Sequence, residues 1–304
     1  MLIARTTKDL TSTLTAWRQA GHEWAFVPTM GALHEGHLSL VRQAQQHTGR
    51  VVVSVFVNPT QFDRDDDLAR YPRQPERDAE MLRSRGVDLL FLPSVEEIYP
   101  TGTQERRRPD LAGLDTRYEG AARPGHFDGV VQVVRRLVEL VQPRVMLMGQ
   151  KDAQQVAVLR RAAAQEFWPV EIVAAKIVRE PSGLAMSSRN GQLSKTGFAK
   201  AAIINKCLNE AEAAWLAGQT PRKIEVAAQA RLTASGLRPE YFDFIHADTF
   251  VQLPDLARQH QNDEVKPLIV VVAWLEGVRL IDNRPLDLPL RAESETSPNV
   301  AANL

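Results

Sequence analysis

Two histidines at a spacing of three, His34 and His37, form the part of this sequence best suited to chemistry on a phosphate. Each imidazole can donate a hydrogen bond to a phosphate oxygen, and the spacing can direct both rings to one side of a site. Gly31 and Gly36 remove side chains where a flat base or a ribose would lie against the backbone. Surface or core roles for the pair stay open, as does a zinc site, although no Cys or third His follows at a usual zinc-ligand spacing.

The segments around the histidines predict where such a site would lie. An apolar segment at residues 24–27 precedes them and a helix-like segment begins at Leu38, which gives the order strand, glycine-containing turn, helix. In an open α/β sheet, ligands bind beyond the carboxyl ends of the strands. A phosphate at this turn would meet free backbone N–H groups and the positive end of the helix dipole.

Two other turns carry groups that suit a phosphorylated ligand. In Gly149–Asp152 the glycine allows close approach of the backbone, Lys151 supplies a point charge and Asp152 can cap the following helix. In residues 186–190 the hydroxyls of Ser187 and Ser188 and the guanidinium of Arg189 can grip a triphosphate as negative charge builds on it. Taken alone, both segments are more typical of ordinary solvated loops.

A glutamine follows another predicted strand at the same edge of the sheet. Residues 50–57 are a nearly continuous β-branched run that stops at Asn58–Pro59, and Gln61 comes directly afterwards. Its amide both donates and accepts hydrogen bonds, which suits the hydroxyl and carboxylate of a small hydroxy acid. A solvated loop amide is the ordinary alternative for a glutamine in this position.

The composition restricts the classes of protein to consider. The 304 residues suffice for one large or two ordinary domains, and Lys+Arg and Asp+Glu balance at 37 each. No global field therefore draws the chain to nucleic acid or to an anionic membrane, and no apolar run reaches membrane-spanning length. The single cysteine, Cys207, excludes an internal disulfide and fits a structural role in a reducing compartment. We expect a soluble, cytoplasmic protein with neither a nucleic-acid nor a membrane partner.

The hydrophobic periodicity predicts alternating strands and helices in the first part of the chain. Strands are predicted at residues 24–29, 50–57, 87–92, 144–148 and 170–173, and helices at residues 9–20, after 37, 75–85, 129–141 and from the 149–152 turn to about 167. Residues 63–67 read as an acidic loop. Residues 99–126 lack periodicity over a length that predicts short elements or a covered site. Further on, helices are predicted at 195–217 and 221–235 and a strand pair at 241–245 and 268–274.

The turns also carry a family resemblance. Residues 28–37, Pro-Thr-Met-Gly-Ala-Leu-His-Glu-Gly-His, resemble the His-x-Gly-His signature of the nucleotidyltransferase superfamily in the form found in the pantoate–β-alanine ligase family. Residues 55–62, 149–155 and 186–190 are similar to further segments of that family. The matches extend from residue 28 to about residue 190, and the rest of the chain agrees in length and pattern.

The resemblance implies a two-step, ATP-dependent ligation. Pantoate would attack ATP to give pantoyl adenylate and pyrophosphate, and β-alanine would then displace AMP to give pantothenate. His37, His34, Lys151 and Arg189 would be catalytic, and Mg²⁺ would be held chiefly by the ATP phosphates, with metal ligands on the protein unknown. The implied ATP-binding residues are Met30, Gly31, Ala32, Leu33, His34, Glu35, Gly36, His37, Gly149, Gln150, Lys151, Asp152, Val178, Met186, Ser187, Ser188 and Arg189.

The resemblance further implies that Gln61 and Gln155 bind pantoate, that Gln61 also contacts β-alanine, and that the enzyme is a homodimer. Residues 123–127 match a family segment and are expected to support the site. The predicted fold class is α/β, with a Rossmann-like, doubly wound parallel sheet at residues 1–180 and a smaller α+β lid domain at 181–286. A mobile tail is predicted at residues 287–304.

The sequence departs from the family pattern at a few positions. Thr60 replaces an apolar residue, Gln132 stands where Thr is common, Gln150 replaces a Glu, and the acidic loop lacks its usual Gly-Pro-Asn character. Three other functions stay under consideration: transfer of a nucleotidyl group to a phosphorylated acceptor, charging of tRNA, and nucleotide sensing without catalysis. Gln61 and Gln155 favour a carboxylate substrate, and no basic anticodon-binding module is visible.

Overall fold

The structure, a computed structural model, describes residues 1–62, 65–104, 108–255 and 266–286, with the backbone alone at residues 65–67. The predicted mobile tail at 287–304 therefore lies outside the described residues, as do Asp63 and Arg64 of the predicted acidic loop. The rest of that loop, residues 65–67, is the beginning of a short helix, Asp65–Arg70.

The first part of the chain forms a parallel sheet. Its strands are β1 (Leu2–Ala4), β2 (Trp24–Thr29), β3 (Arg50–Val55), β4 (Leu89–Phe91), β5 (Val145–Gly149) and β6 (Glu171–Ala175). They lie in the order β1-β4-β3-β2-β5-β6, and each neighbouring pair is parallel. The order reverses between β2 and β5, and ligands bind outside the carboxyl ends of the strands at such a switch point.

Helices cover the parallel sheet and build most of the second part of the chain. They are α1 (Thr7–Gln19), α2 (Glu35–His47), α3 (Asp65–Arg70), α4 (Pro75–Ser84), α5 (Val95–Ile98), α6 (Tyr118–Ala122), α7 (His126–Val141), α8 (Ala153–Glu166), α9 (Lys195–Ala201), α10 (Ile203–Leu216) and α11 (Pro221–Ala234). Short 3₁₀ helices lie at Pro59–Gln61, Gln150–Asp152 and Ser188–Gln192. Among the described residues, no helix has both the length and the apolar character needed to cross a membrane.

Both faces of the parallel sheet are buried, which explains its nearly continuous apolar strands. Along β2, Trp24 and Phe26 enter one core with residues of α1, α7 and α8, whereas Ala25 and Val27 enter a second core with residues of α2 and α4. The sheet is therefore the middle of three layers, and the turns at its carboxyl edge are held by two packed cores.

A second, antiparallel sheet has the order β7 (Arg238–His246), β8 (Pro267–Leu275), β9 (Val278–Pro285). Alternate residues of β8 bury opposite faces: Val270 joins the core of α7 and α8, and Val271 joins the core of α10 and α11. Cys207 is buried in that last core, and burial raises the pKa of its thiol to about 11, as expected of a structural cysteine. The C-terminal sheet thus packs directly against the first part of the chain.

The predicted fold class is confirmed: a parallel α/β sheet with helices on both faces, followed by a small α+β unit. Three local predictions were incomplete. Strand β1 went unrecognised, the helix predicted at 195–217 is two helices, α9 and α10, and the predicted strand pair is a three-stranded sheet. Strand β9 was not predicted because Asp282 and Asn283, which are polar yet buried, interrupt the apolar pattern of a strand. The division at residues 180 and 181 stays a prediction.

Candidate active site

The two histidines form the first turn of α2, which begins at Glu35 rather than after His37 as predicted. His34 is the N-cap residue, and its Nδ1 accepts the N–H of Gly36 at 3.1 Å, while the Nδ1 of His37 accepts the N–H of His34 at 3.3 Å. The two rings are 4.1 Å apart between centroids. Because each Nδ1 is an acceptor, each neutral ring carries its proton on Nε2, and this N–H can donate a hydrogen bond to a ligand. The same bonds withhold both Nδ1 atoms from a zinc ion.

The environment keeps both rings neutral. Burial, followed by the neighbouring His34 ring, lowers the pKa of His37 to about 3, with Asp152 opposing the shift. Burial and then the charge of Lys151 lower the pKa of His34 as well. At neutral pH the pair therefore provides two hydrogen-bond donors rather than two positive charges.

A buried carboxylate that the sequence analysis missed holds the turn before the histidines. Asp78 of α4 accepts the N–H groups of Ala32 and Leu33 at 3.0 and 2.9 Å. The backbone bends sharply here, with positive φ angles of 85° at Gly31 and 51° at Ala32. The N–H of Gly31 donates to the Thr29 hydroxyl.

The expectation of free backbone N–H groups at this turn was therefore wrong for most of its residues. The N–H groups of Gly31, Ala32, Leu33, His34 and Gly36 all have partners within the protein. Side chains are consequently the main donors that this turn offers to a phosphate.

The glycines are required by the turn itself, and their expected role in making room for a base or a ribose stays a prediction. A Cβ at Gly31 would lie 2.9 Å from an Asp78 oxygen, and a Cβ at Gly36 would lie 2.7 Å from the His34 ring. Both distances are shorter than real Cβ contacts. Any side chain at either position would displace Asp78 or His34.

The Lys151 turn follows β5, which is adjacent to β2 in the sheet. The Lys151 ammonium lies 3.5 Å from a carboxylate oxygen of Asp152, and the Lys151 side chain is 17% exposed. Asp152 occupies the N-cap position of α8 but makes no side-chain capping bond, so its predicted capping role was wrong. Asn283 of β9 donates from Nδ2 to the carbonyls of Gln150 and Lys151 at 2.9 and 3.0 Å.

The third turn follows a short hairpin at residues 178–186, and we call the two together the Arg189 hairpin. Its arms meet where Met186 donates its N–H to the Val178 carbonyl at 3.0 Å. Ser187 then caps the 3₁₀ helix by accepting the N–H of Arg189 at 3.3 Å, and the side chains of Ser188 and Arg189 are exposed. The buried Asn190 fastens the segment by donating to the Ala185 carbonyl at 3.0 Å.

These three turns converge on one cleft. A Cβ at Gly36 would lie 3.9 Å from the Met186 Cβ, which brings the histidine turn against the hairpin. Lys151 and Arg189 line one cavity with Ser187, and they line a neighbouring cavity together with Gln155. The structure therefore brings together groups from three turns that are far apart in the sequence.

Gln61 lies deeper and is buried. Its Nε2 donates to the Met30 sulfur at 2.9 Å, and its Oε1 accepts from Asn58 at 3.2 Å. The Gln61 carbonyl accepts from Arg123 at 3.3 Å and lies 2.8 Å from the Nδ1 of His126. Because Arg123 and His126 line the same cavity as Gln155, they connect the two glutamines, and residues 123–127 do lie beside the cleft.

Three residues of this site escaped sequence reasoning as contributors. Asp78 had a usable signal, because it lies one helical turn before the buried Leu82 and so falls on the apolar face of α4. Asn58 was read only as a strand breaker, yet it is buried and accepts the Tyr99 hydroxyl at 2.8 Å. Asn283 had no local signal, since its partners lie more than a hundred residues earlier.

Comparison with known proteins identifies the family of this chain. The model of the pantoate-beta-alanine ligase family matches residues 2–285. A curated relative, the pantothenate synthetase of Thioalkalivibrio sulfidiphilus, is 43% identical over 295 residues, which are 95% of this chain and 99% of the relative.

Solved structures are similar over nearly the whole chain. The crystal structure of pantothenate synthetase from Thermus thermophilus is 40% identical with a TM-score of 0.85, covering 93% of this chain and 99% of that one. The pantoate-beta-alanine ligase of Francisella tularensis, complexed with beta-gamma ATP and beta-alanine, is 33% identical with a TM-score of 0.76, covering 94% and 97%. The chain studied here thus belongs to the pantoate–β-alanine ligase family.

Proposed function

We propose that this protein condenses (R)-pantoate with β-alanine at the expense of ATP, giving pantothenate, AMP and pyrophosphate. The observation that carries the proposal is the convergence of the His34–His37, Lys151 and Arg189 turns on one cleft at the switch point of the sheet. Membership in the ligase family and the likeness to a ligase complexed with ATP and β-alanine support it.

In the first step, a carboxylate oxygen of pantoate attacks the α-phosphorus of ATP. A new P–O bond forms, the bond to the bridging oxygen breaks, and pyrophosphate leaves with the electron pair. The Nε2–H groups of His34 and His37 donate to phosphate oxygens, and Lys151 and Arg189 stabilise the charge that develops there. Since both rings are neutral, we assign His37 to phosphate stabilisation rather than to proton donation.

In the second step, the β-alanine amine attacks the acyl carbon of pantoyl adenylate. The amide bond forms, AMP leaves, and the amine releases a proton to solvent. Gln61 and Gln155 bind pantoate, and Gln61 also contacts β-alanine. The buried, hydrogen-bonded setting of Gln61 supports a fixed orientation of its amide. The substrates supply both nucleophiles, so the protein acts mainly by positioning them.

The remaining ATP contacts follow the backbone of the three turns. We assign them to Met30–Glu35 and Gly36 in the first turn, Gly149, Gln150 and Asp152 in the second, and Val178, Met186, Ser187 and Ser188 in the third. Gly31, Ala32 and Leu33 would shape the pocket, because Asp78 and Thr29 already accept their N–H groups.

Mg²⁺ enters this reaction bound to the nucleotide. The described part of the chain contains no group of three or more His, Cys, Asp or Glu that could hold a metal ion. Oxygen atoms of the ATP phosphates would provide most of the ligands, and the ion would neutralise part of the phosphate charge.

We also propose that the protein acts in the cytoplasm as a homodimer with two domains that divide near residue 180. Family membership supports the dimer, and the separate antiparallel sheet supports the division. Light scattering after size exclusion tests the dimer, and limited proteolysis near residues 180–183 tests the boundary.

One incubation tests the reaction. The protein is mixed with ATP, Mg²⁺, pantoate and β-alanine, and AMP is followed with each substrate omitted in turn. We expect sustained AMP formation only in the complete mixture, and transfer of ¹⁸O from labelled pantoate carboxylate to AMP. Dinucleotide-type products would instead identify a nucleotidyltransferase, and tight ATP binding without AMP would identify a nucleotide sensor.

A further inference from the structure

Strand β9 is an edge strand whose outer side faces the cleft. Among the described residues it pairs with β8 alone, and its residues Asp282 and Asn283 line the same cavity as Lys151 and Arg189. Both residues are polar and 3% exposed. A buried polar pair at a sheet edge requires partners, and these partners belong to the turns of the site.

Asn283 makes all of its side-chain bonds to the Lys151 turn. Its Nδ2 donates to the carbonyls of Gln150 and Lys151, and its Oδ1 accepts the Gln150 Nε2 at 3.1 Å. The two carbonyls fix the orientation of the Asn283 amide, because a rotated amide would place its oxygen against them. Gln150 must then donate, which a glutamine does and an ionised glutamate cannot.

Asp282 holds the hairpin that leads to Arg189. Its carboxylate accepts two hydrogen bonds from the Arg179 guanidinium, at 2.6 and 3.0 Å, and the Asp282 side chain is 2% exposed. Arg179 also donates to the Gly183 carbonyl and pairs through its backbone with Ala185. Asp282 of β9 therefore holds the start of the hairpin, and the next residue of the same strand, Asn283, holds the Lys151 turn.

We propose that Asp282 and Asn283 are positioning residues that set the Lys151 turn and the Arg189 hairpin at a fixed separation around the triphosphate. This inference rests on the proposed function and adds two residues to it. A rigid strand fixes the separation of the two turns better than either turn could, since both turns are short and partly exposed.

The two half-reactions distinguish this role from general stabilisation. Lys151 and Arg189 act on pyrophosphate as it departs, which happens only while the adenylate forms. A misplaced turn should therefore slow adenylate formation and leave aminolysis of ready-made pantoyl adenylate nearly unchanged. A merely structural role would slow both half-reactions by the same factor.

The test compares Asn283→Ala with Arg284→Gln as a matched control. Arg284 is the next residue on β9, but its guanidinium binds Glu212, Asn205 and Asn209 rather than the turns. Adenylate formation is measured by pantoate-dependent exchange of pyrophosphate into ATP, and the second step by pantothenate formed from supplied pantoyl adenylate and β-alanine. If Asn283→Ala does not fold, Asn283→Ser and Asp282→Asn replace it.

For Asn283→Ala we expect exchange to fall by about 30-fold or more, with aminolysis within about twofold of the parent protein, as for a displaced charge-stabilising group. Arg284→Gln should keep both rates. Equal losses in the two steps, or no loss in either, would overturn the proposal. If the parent protein itself lacks both activities, the proposed function fails, and calorimetry with ATP decides the positioning role: a weaker Kd in Asn283→Ala supports it and an unchanged Kd refutes it.

Discussion

The histidine turn and the Arg189 hairpin face the same cleft but are held in opposite ways. The histidine turn is fixed from inside by the buried Asp78, by side-chain bonds within the turn, and by the glycine at position 36. The start of the hairpin is held by the ion pair of Arg179 and Asp282. Arg189 is exposed and pairs with no carboxylate among the described residues.

Stability and chemistry are therefore coupled in the histidine turn and separate in the Arg189 hairpin. A side chain of the histidine turn serves the fold and the ligand at once, because its ring accepts a backbone N–H on one nitrogen and can donate from the other. Arg189 can serve the ligand without serving the fold. Substitutions in the two regions should therefore differ in what they change.

The largest effect is expected from His37→Asn. The asparagine Oδ1 can replace Nδ1 as the acceptor of the His34 N–H, but it cannot reach the ligand as Nε2 does. We expect adenylate formation to fall by about 10²- to 10³-fold, as when one preorganised donor is lost. Pyrophosphate release measures this. Near-normal release by His37→Asn, or by His37→Ala in parallel, would remove His37 from the mechanism.

Arg189→Ala should reduce adenylate formation by about 10- to 100-fold, because the charge on the departing pyrophosphate loses a guanidinium partner. Its thermal midpoint should equal that of the parent protein, since the side chain is exposed. Lys195→Ala, which removes another exposed cation on the same segment, should leave both properties unchanged. A fall in stability for Arg189→Ala alone would erase the contrast between the regions.

Asp78→Asn should give the reverse pattern, with stability as the main loss. One of the two N–H groups, of Ala32 or Leu33, would face an amide donor in place of an acceptor. We expect the free energy of unfolding in urea to fall by about 2 kcal/mol and activity by about tenfold. The exposed Glu76 of the same helix, replaced by Gln, provides the control. An unchanged free energy of unfolding for Asp78→Asn would show that the histidine turn is stable without the Asp78 carboxylate.

The smallest effect concerns pH. The folded pKa of His37 is about 3, below the ordinary value of 6.5, so the unfolded chain takes up the proton first. Its contribution to stability is therefore complete above pH 6.5 and falls as the pH decreases toward 3. From pH 7 to pH 5, the decrease in the free energy of unfolding should be smaller for His37→Asn than for the parent protein, by up to about 2 kcal/mol. The exposed His22→Asn should follow the parent curve, and identical curves for all three proteins would contradict the assignment.

Local patterns predicted the three turns correctly because each is marked by residues that lie close together in the sequence. The His34–His37 spacing, the glycine before Lys151 and the serines before Arg189 all belong to such short-range patterns. The structure brings these turns together on one cleft.

The supports of these turns could not be found in the same way. Asp78 contacts residues 45 and 46 positions earlier, and Asn283 contacts residues more than 130 positions earlier. Such contacts arise only when the helices and the C-terminal sheet pack against the parallel sheet. For the same reason, the sequence suggested free N–H groups at a turn where the fold supplies Asp78 as their partner.

A structure of the protein with a non-hydrolysable ATP analogue, Mg²⁺ and pantoate tests the central claim most directly. The account predicts a triphosphate within hydrogen-bond distance of a histidine Nε2, the Lys151 ammonium and the Arg189 guanidinium, with the pantoate carboxylate directed at the α-phosphorus. A triphosphate bound away from this cleft, or held by only one of the three turns, would contradict it.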